Sequence, residues 1–541
     1  MSAFNPNPSA GSRAASNACN RHAASSSPAS SASNAAYGAD TSSAASDGTK
    51  ATSDRPKGMS NAPTGAKLGV FTLAIMNVVA VVSLRALPAE VAYGMSSAFY
   101  YLLAAIIFLI PVSLVAAELA ALFPDKQGGI FRWVGEAFGD RLGFLCIWLQ
   151  WLQTAIWFPT VLTFAAVSLA FIGPDASASV AFASNRFYTL AVVLVIYWSA
   201  TAISLRGLEW VGRVSKIGGI VGTIVPALLL IAFAAVYLLT GGHPQMDLGG
   251  RFIPDMTKFG NLVLAASIFL FYAGMEMSGL HVRQVRNAKV NYPRAVLIGA
   301  VLTVLIFMLG TFALAIVIPA HEVNLVESLL VGFDRYTAYM HVPWLSSIIA
   351  LAITFGVLAA VLTWVSGPSK GILEVGRAGY LPPFFHKMNK RGVQRNILLL
   401  QGAAVTVLSL LFVVMPTVQS FYQILTQLTA MLYVTLYLLM FPAAIRLRYL
   451  LPRAERPFRI GREGSNWLLW VVCGVGFLAS LLAFVMSIFP PTQIETGSPL
   501  TWYAVMAGGC LVFMGSAFVV YALRRPSWVA PDSDFESFHW E

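Results

Sequence analysis

From Leu68 onward the chain is a succession of apolar runs separated by short polar stretches. The runs match or exceed the ~20 residues that a helix needs to cross a hydrocarbon core about 30 Å thick. Twelve are legible, near 68–90, 97–121, 142–172, 187–205, 217–240, 259–280, 295–319, 342–366, 397–415, 420–445, 467–489 and 501–523. The pattern predicts an all-α polytopic membrane protein of about twelve transmembrane helices, occupying 67–525. The third and tenth runs are long enough to tilt or to extend past the bilayer. Residues 1–66 are rich in Ser, Ala and Asn and almost devoid of large apolar side chains. Such a segment cannot bury enough surface to offset its ordering entropy, so it reads as disordered. It contains no apolar h-region and does not read as a secretory signal peptide. After the last run, 526–541 reads as a short acidic tail carrying Asp532, Asp534, Glu536 and Glu541.

Two of the runs are interrupted. The first, MNVVAVVSLRALPAEVAYG, contains Ser83, Arg85, Pro88, Glu90 and Gly94. The sixth leads into FLFYAGMEMSGLHVRQVRNAKVNYP at 269–293, where Gly274, Glu276 and Gly279 precede a turn bearing Arg283, Arg286 and Lys289. Irregular backbone at membrane depth is tolerated only where it lines protein or a water-filled cavity. An ionisable residue there is by default a functional-site hypothesis. Breaks at corresponding positions of two halves mark many secondary transporters. First and sixth correspond in a five-plus-five inverted repeat, with the eleventh and twelfth helices outside it.

Composition and charge agree with this frame. The chain is 57% hydrophobic and 11% charged, against roughly 25% charged in soluble domains. The net charge of +11 would invite nucleic acid, but it is localised. With the N-terminus inside, 22 Lys and Arg fall in the inner loops and only Arg186, Arg251, Lys258 and Arg335 in the outer ones. This is the positive-inside bias of an inner-membrane protein with both termini cytoplasmic, in contact with lipid rather than nucleic acid. The sequence assigns no partner chain. Of four cysteines, Cys146, Cys473 and Cys510 lie in apolar runs and read as small core residues. His281, His321, His341 and His386 are scattered without ligand spacing, so no metal and no cofactor is expected. With no P-loop, GxSxG or HExxH, the chain does not read as an enzyme.

Several stretches carry a family likeness: IPVSLVAAELA at 110–120, GGIFRWVGEAFGDRLGF at 128–144 and FYAGMEMSGLHVRQVRNAKVNYPRA at 271–295. TWVSGPSKGILEVGRAGYLPPFFHKMNKRGV at 363–393 and FVMSIFPP at 484–491 extend it. Over 66–525 the chain resembles the amino acid–polyamine–organocation superfamily, and within it the glutamate/GABA antiporter family. The resemblance implies an inner-membrane exchanger of amino acids and amines, with the inverted-repeat fold and no ATP or bound metal. It also implies that Tyr433 and Tyr437 line the transport path. The sequence departs from the family at three places. Leu270 stands where related exchangers often have an aromatic gate, with Phe271 and Tyr272 as substitutes. The first break reads SLRALP instead of carrying a tyrosine–glutamate pair. Only Arg524–Glu541 follows the last helix, where the best-known member has a long plug.

The candidate site follows from what an amino acid presents. Half-helix N-termini offer free N–H groups and a positive dipole end to a carboxylate, and unwound carbonyls can receive an ammonium. The main-chain part of the site is therefore placed at Ser83, Leu84, Arg85 and Ala86, and at Ala273, Gly274, Met275, Glu276 and Met277, with Tyr272 beside it. The alternative is that these glycines only allow close helix packing. Glu276 is a coupling or gating group, a structural pin to the first helix, or a direct substrate contact. Arg85 suits bidentate capture of a carboxylate: the substrate's, or that of Glu276 or Glu90. Alternatively it snorkels to the surface. Tyr433 and Tyr437, one turn apart, share a face as pathway and gating candidates, as do Gln423 and Gln427; interfacial anchoring is the other reading of the tyrosines. Trp364, Ser366, Gln150, Gln153 and Trp157 are candidate wall residues. Glu118 reads as an anchor for the basic loops.

The expected activity is exchange of an amino acid, glutamate favoured, for its decarboxylated amine by alternating access. A proton-coupled importer and a substrate sensor on a transporter scaffold are the alternatives.

Overall fold

The computed structural model describes residues 69–541 apart from 124–128, 174–175, 255–266, 277–284, 414–416, 491–497, 532, 534 and 541. The expected disordered segment 1–66, the expected site residue Met277, and Gly279, Arg283, Asp532, Asp534 and Glu541 lie outside the described residues. The first span is α1 (Val70–Val81) followed by a 3-10 segment, Leu84–Tyr93. Then come α2 (Ser96–Leu122), the short α3 (Ile130–Phe138), α4 (Asp140–Ala170), α5 (Arg186–Ser204) and α6 (Glu209–Leu239). The second half holds α7 (Ser267–Tyr272), α8 (Ala288–Val317), α9 (Ser328–Tyr339) and α10 (Trp344–Val375). It closes with α11 (Arg395–Ser409), α12 (Val418–Leu450), α13 (Trp467–Ser487) and α14 (Pro499–Ala522). Among the described residues ten helices are long and apolar enough to cross a membrane, and the broken first span makes eleven. Of the expected sixth span only α7 and the turn to Glu276 are described. The chain is an all-α polytopic membrane protein.

The break in the first span has a local cause. Pro88 has no N–H to give, and its ring clashes with the carbonyl four residues back, which disfavours an α-helix through Leu84. Val82 and Ser83 are extended instead, with ψ of 122° and 119°, and the chain resumes as the tighter 3-10 segment. The two halves bend by 71°. Gly94, at φ 52°, ends the segment.

Around this break α4 and α12 form a central pair, packed against each other and against α10 and α13 respectively. The seam of α6 and α10 is closer still. A Cβ on Gly222 would lie 2.3 Å from the Gly356 backbone, so only glycine permits that approach.

The ends that carry the basic loops are tied by buried ion pairs. Glu118 of α2 accepts from Arg448 of α12, Nε at 2.8 Å and Nη2 at 2.5 Å, and from the Ile460 N–H at 2.8 Å. Arg456 stands 3.5 Å away as a second cation. The described residues of 526–541, a segment expected as an acidic tail, return to the bundle through their aromatic side chains. Phe538 is buried, and Arg132 of α3 is held between the Phe535 and Phe538 rings at 4.3 and 4.7 Å. Arg132 also donates to the carbonyls of Glu536 and Ser537. Glu136 accepts from the His539 backbone N–H at 3.0 Å and contacts its Nδ1, and the Trp540 indole donates to Gly135 O at 3.0 Å.

Two outcomes test these ties. Arg448→Ala leaves Glu118 buried with its main counter-charge gone, a loss of roughly 3 kcal/mol. The purified protein then melts at a clearly lower temperature in detergent; an unchanged melting curve would refute the anchor. Phe538→Ala empties the slot beside Phe131, and the terminal segment becomes cleavable by added protease much faster than in the parent protein.

Candidate functional site

The helix breaks meet beside one face of α12. Tyr433 and Tyr437 lie one turn apart with their rings stacked at 5.4 Å, and both hydroxyls are aimed at Glu276. Tyr433 donates to Oε1 at 2.6 Å and Tyr437 to Oε2 at 2.7 Å, the length of charge-assisted O–H···O bonds. The Gly274 N–H is shared between Glu276 Oε2 at 3.2 Å and Tyr437 Oη at 3.1 Å. All three side chains are buried. Gly274 is required for this turn. Its φ is 109°, outside the range of ordinary side chains, and a Cβ there would stand 3.3 Å from the Trp364 ring. The carboxylate is thus saturated by its own protein and pins α7 to α12.

Arg85 presents the opposite situation. It is only 3% exposed, which removes the snorkelling alternative. Its Nη1 donates to Tyr422 Oη at 3.0 Å, and its guanidinium carbon lies 5.6 to 5.9 Å from the ring centres of Trp157, Phe271 and Tyr422. Nε is buried without an acceptor. Among the described residues no carboxylate lies within ion-pair distance. Glu90 is bonded to Ser267 at 3.3 Å, and Glu276 is taken by the tyrosines. Neither pairs with Arg85.

An aromatic row joins these two charges. From Arg85 it passes to Trp157, then to Trp364 at 5.7 Å, then edge-on to Tyr433 at 6.5 Å, which bonds Glu276. Trp157 and Trp364 keep part of their surface exposed while Arg85, Tyr422, Tyr433 and Glu276 are buried. Tyr422 and Tyr433 are three helical turns apart on α12, so both charges face one stripe over a span of about 16 Å. Thr426 lies between them on that stripe, its buried hydroxyl without a partner.

The remaining expected residues divide. Ser83, Leu84 and Ala86 sit at the first break, where the leading N–H groups of the 3-10 segment have no acceptor within it. Ala273 and Met275 flank Gly274 and are buried. Tyr272 turns away from Arg85: its hydroxyl donates to Tyr101 O at 3.2 Å and its ring packs on Phe307. Its neighbour Phe271 is the aromatic that reaches Arg85. Buried Gln423 and Gln427 leave polar atoms without partners. Gln153 donates to Gln150 O within its own helix, and Ser366 to Leu362 O. Tyr422 is a functional candidate that local pattern does not single out; its one signal in the sequence is its spacing, three turns before Tyr433. Among the described residues no three His, Cys, Asp or Glu side chains gather as a metal site would need.

The model of the family described as amino acid permease matches residues 68–513. An uncharacterized transporter of Legionella pneumophila is 37% identical over 83% of this chain and 95% of its own length. A glutamate/gamma-aminobutyrate antiporter of Lactococcus lactis is 29% identical over 85% of this chain and 91% of its own. A probable agmatine/putrescine antiporter of the same species is 24% identical over 83% and 93%.

The Glu276 node makes its own prediction. Tyr433→Phe and Tyr437→Phe each remove one hydroxyl from a buried carboxylate, at a cost of about 1–3 kcal/mol. Each variant melts at a lower temperature in detergent, and Glu276→Gln in the double-phenylalanine background restores part of the loss. A further drop on adding Glu276→Gln would refute the pin.

Proposed function

The chain belongs to the amino acid permease family, and we propose that within it this protein is an antiporter exchanging an amino acid, glutamate favoured, for its decarboxylated amine. The observation that carries the reading is the meeting of two helix breaks at a buried, charged, aromatic-lined cluster. Such a cluster suits occlusion of a small zwitterion better than a continuous pore. The relation to a glutamate/gamma-aminobutyrate antiporter over most of both chains supports the substrate pair.

In this reading the free N–H groups at Leu84 and Arg85 receive the substrate's α-carboxylate, and the carbonyls of the turn at Ala273–Met275 receive its ammonium. Trp364 and Trp157 form the wall. The broken first span and α7 move together against α4, α10 and α12. Glu276, Tyr433 and Tyr437 form the joint across which that motion is gated. Orientation follows the basic loops: an inner-membrane protein with both termini cytoplasmic. Exchange of this kind exports the product of a proton-consuming decarboxylation, and so supports acid tolerance.

Counterflow in proteoliposomes tests the proposal. Vesicles are loaded with GABA, other amines or buffer alone, and labelled glutamate is added outside at acidic and neutral pH. Uptake confined to amine-loaded vesicles is expected. Uptake into empty vesicles driven by a proton gradient would replace the antiporter with an importer.

A further inference from the structure

Arg85 is a permanent charge that the protein buries and then leaves largely unused. A guanidinium has five N–H donors in a fixed fork. Here Nη1 reaches Tyr422 Oη, while Nε is buried with no acceptor. Burying a cation without a counter-charge is costly unless another group completes its bonding. Three aromatic rings within 6 Å moderate that cost by facing their electron density to the charge. They offer no acceptor that would close the fork. The unmet requirement is therefore for an anion with two coplanar oxygens.

Decarboxylation chemistry says which anion that is. An amino acid and its decarboxylated amine differ by the α-carboxylate and share the far end of the side chain. An exchanger must hold both partners in turn, so a side chain that selects the pair does so through the shared end. Where the shared end is a carboxylate, a buried guanidinium attracts both partners. Where it is an ammonium or a guanidinium, Arg85 repels both.

We propose that Arg85, in its box of Trp157, Phe271 and Tyr422, is the specificity-determining receptor for the side-chain carboxylate common to the substrate and its amine product. The box thereby confines the protein to acidic amino acids. This rests on the antiporter reading for the identity of the pair, but not for the recognition of the carboxylate. The α-carboxylate and ammonium stay with the main chain at the two breaks. The shared carboxylate lies against the guanidinium fork, with Tyr422 holding the other edge of Arg85 in place. Trp157 and Trp364 then floor the space between the two ends of the ligand.

Direct binding to the purified full-length protein separates this proposal from exchange. The probes are glutamate against glutamine, and GABA against 4-aminobutanamide, each pair differing only in a carboxylate replaced by its amide. The wild type is expected to prefer each acid over its amide by at least tenfold, because an amide places a donor group against a donor fork. Arg85→Gln abolishes the preference by weakening the acids selectively, and Arg85→Lys keeps part of it, since the charge survives without the fork. Equal wild-type affinity for acid and amide overturns the proposal without recourse to any variant. So does an Arg85→Gln variant that weakens acid and amide alike, which would make Arg85 a packing residue. An acid preference that persists while counterflow fails supports the receptor and overturns only the antiporter.

Discussion

A carboxylate inside a membrane has no water to turn to, and the protein must supply each of its hydrogen bonds. Glu276 meets that requirement through two tyrosines from one face of α12 and one backbone N–H from its own turn. Much of the surrounding geometry follows. The Gly274 N–H is free to reach the carboxylate only because the helix is interrupted there, and the interruption is tolerated only because glycine accepts φ of 109°. The tight fit of Trp364 against Gly274 fixes α10 relative to the same turn. Three helices therefore share one node, and a change in any of its bonds is felt by all three.

The first span is shaped by a different constraint with a similar result. Pro88 prevents a continuous helix, and the extended residues at 82–83 place Arg85 inside the bundle. The opened backbone leaves N–H groups without acceptors within the segment, and the Arg85 side chain places a charge nearby. Both breaks thus combine opened main chain with a buried ionisable side chain. They differ in whether that side chain is satisfied. On this difference rests the proposed division of labour: Glu276 as joint, Arg85 as receptor.

The parts of this arrangement that depend on local pattern were legible in the sequence. Apolar run length gave the spans. Isolated charges beside Gly or Pro marked both breaks, because such residues are expensive in an apolar run and need a reason to be there. Glu118 was readable as an anchor for the same reason. What depended on which way a side chain faces was not legible. Phe271 and Tyr272 are adjacent and chemically alike, yet one reaches Arg85 and the other bonds Tyr101; a short irregular helix offers no periodicity to separate them. Tyr422 meets Arg85 across 337 residues of chain, a pairing that no local rule contains. The acidic residues dominate the pattern of the terminal segment, whereas its docking depends on Phe535 and Phe538, three residues apart, enclosing Arg132.

The two buried charges of the site have opposite signs and still do not neutralise each other. Had Arg85 and Glu276 paired, the site would be electrically closed, and a ligand would have to break an ion pair before gaining anything. A saturated Glu276 removes that competitor. Its carboxyl group is bonded to two hydroxyls on α12, with the indoles of Trp157 and Trp364 in the aromatic row between it and Arg85. Of these two groups it is Arg85 that keeps a buried donor without an acceptor. If the main chain at the breaks holds the substrate as proposed, a zwitterion with a neutral side chain leaves the guanidinium as costly as before. In the proposed reading, a ligand with a second carboxylate satisfies both, and the energy already spent in burying Arg85 becomes the basis for choosing it.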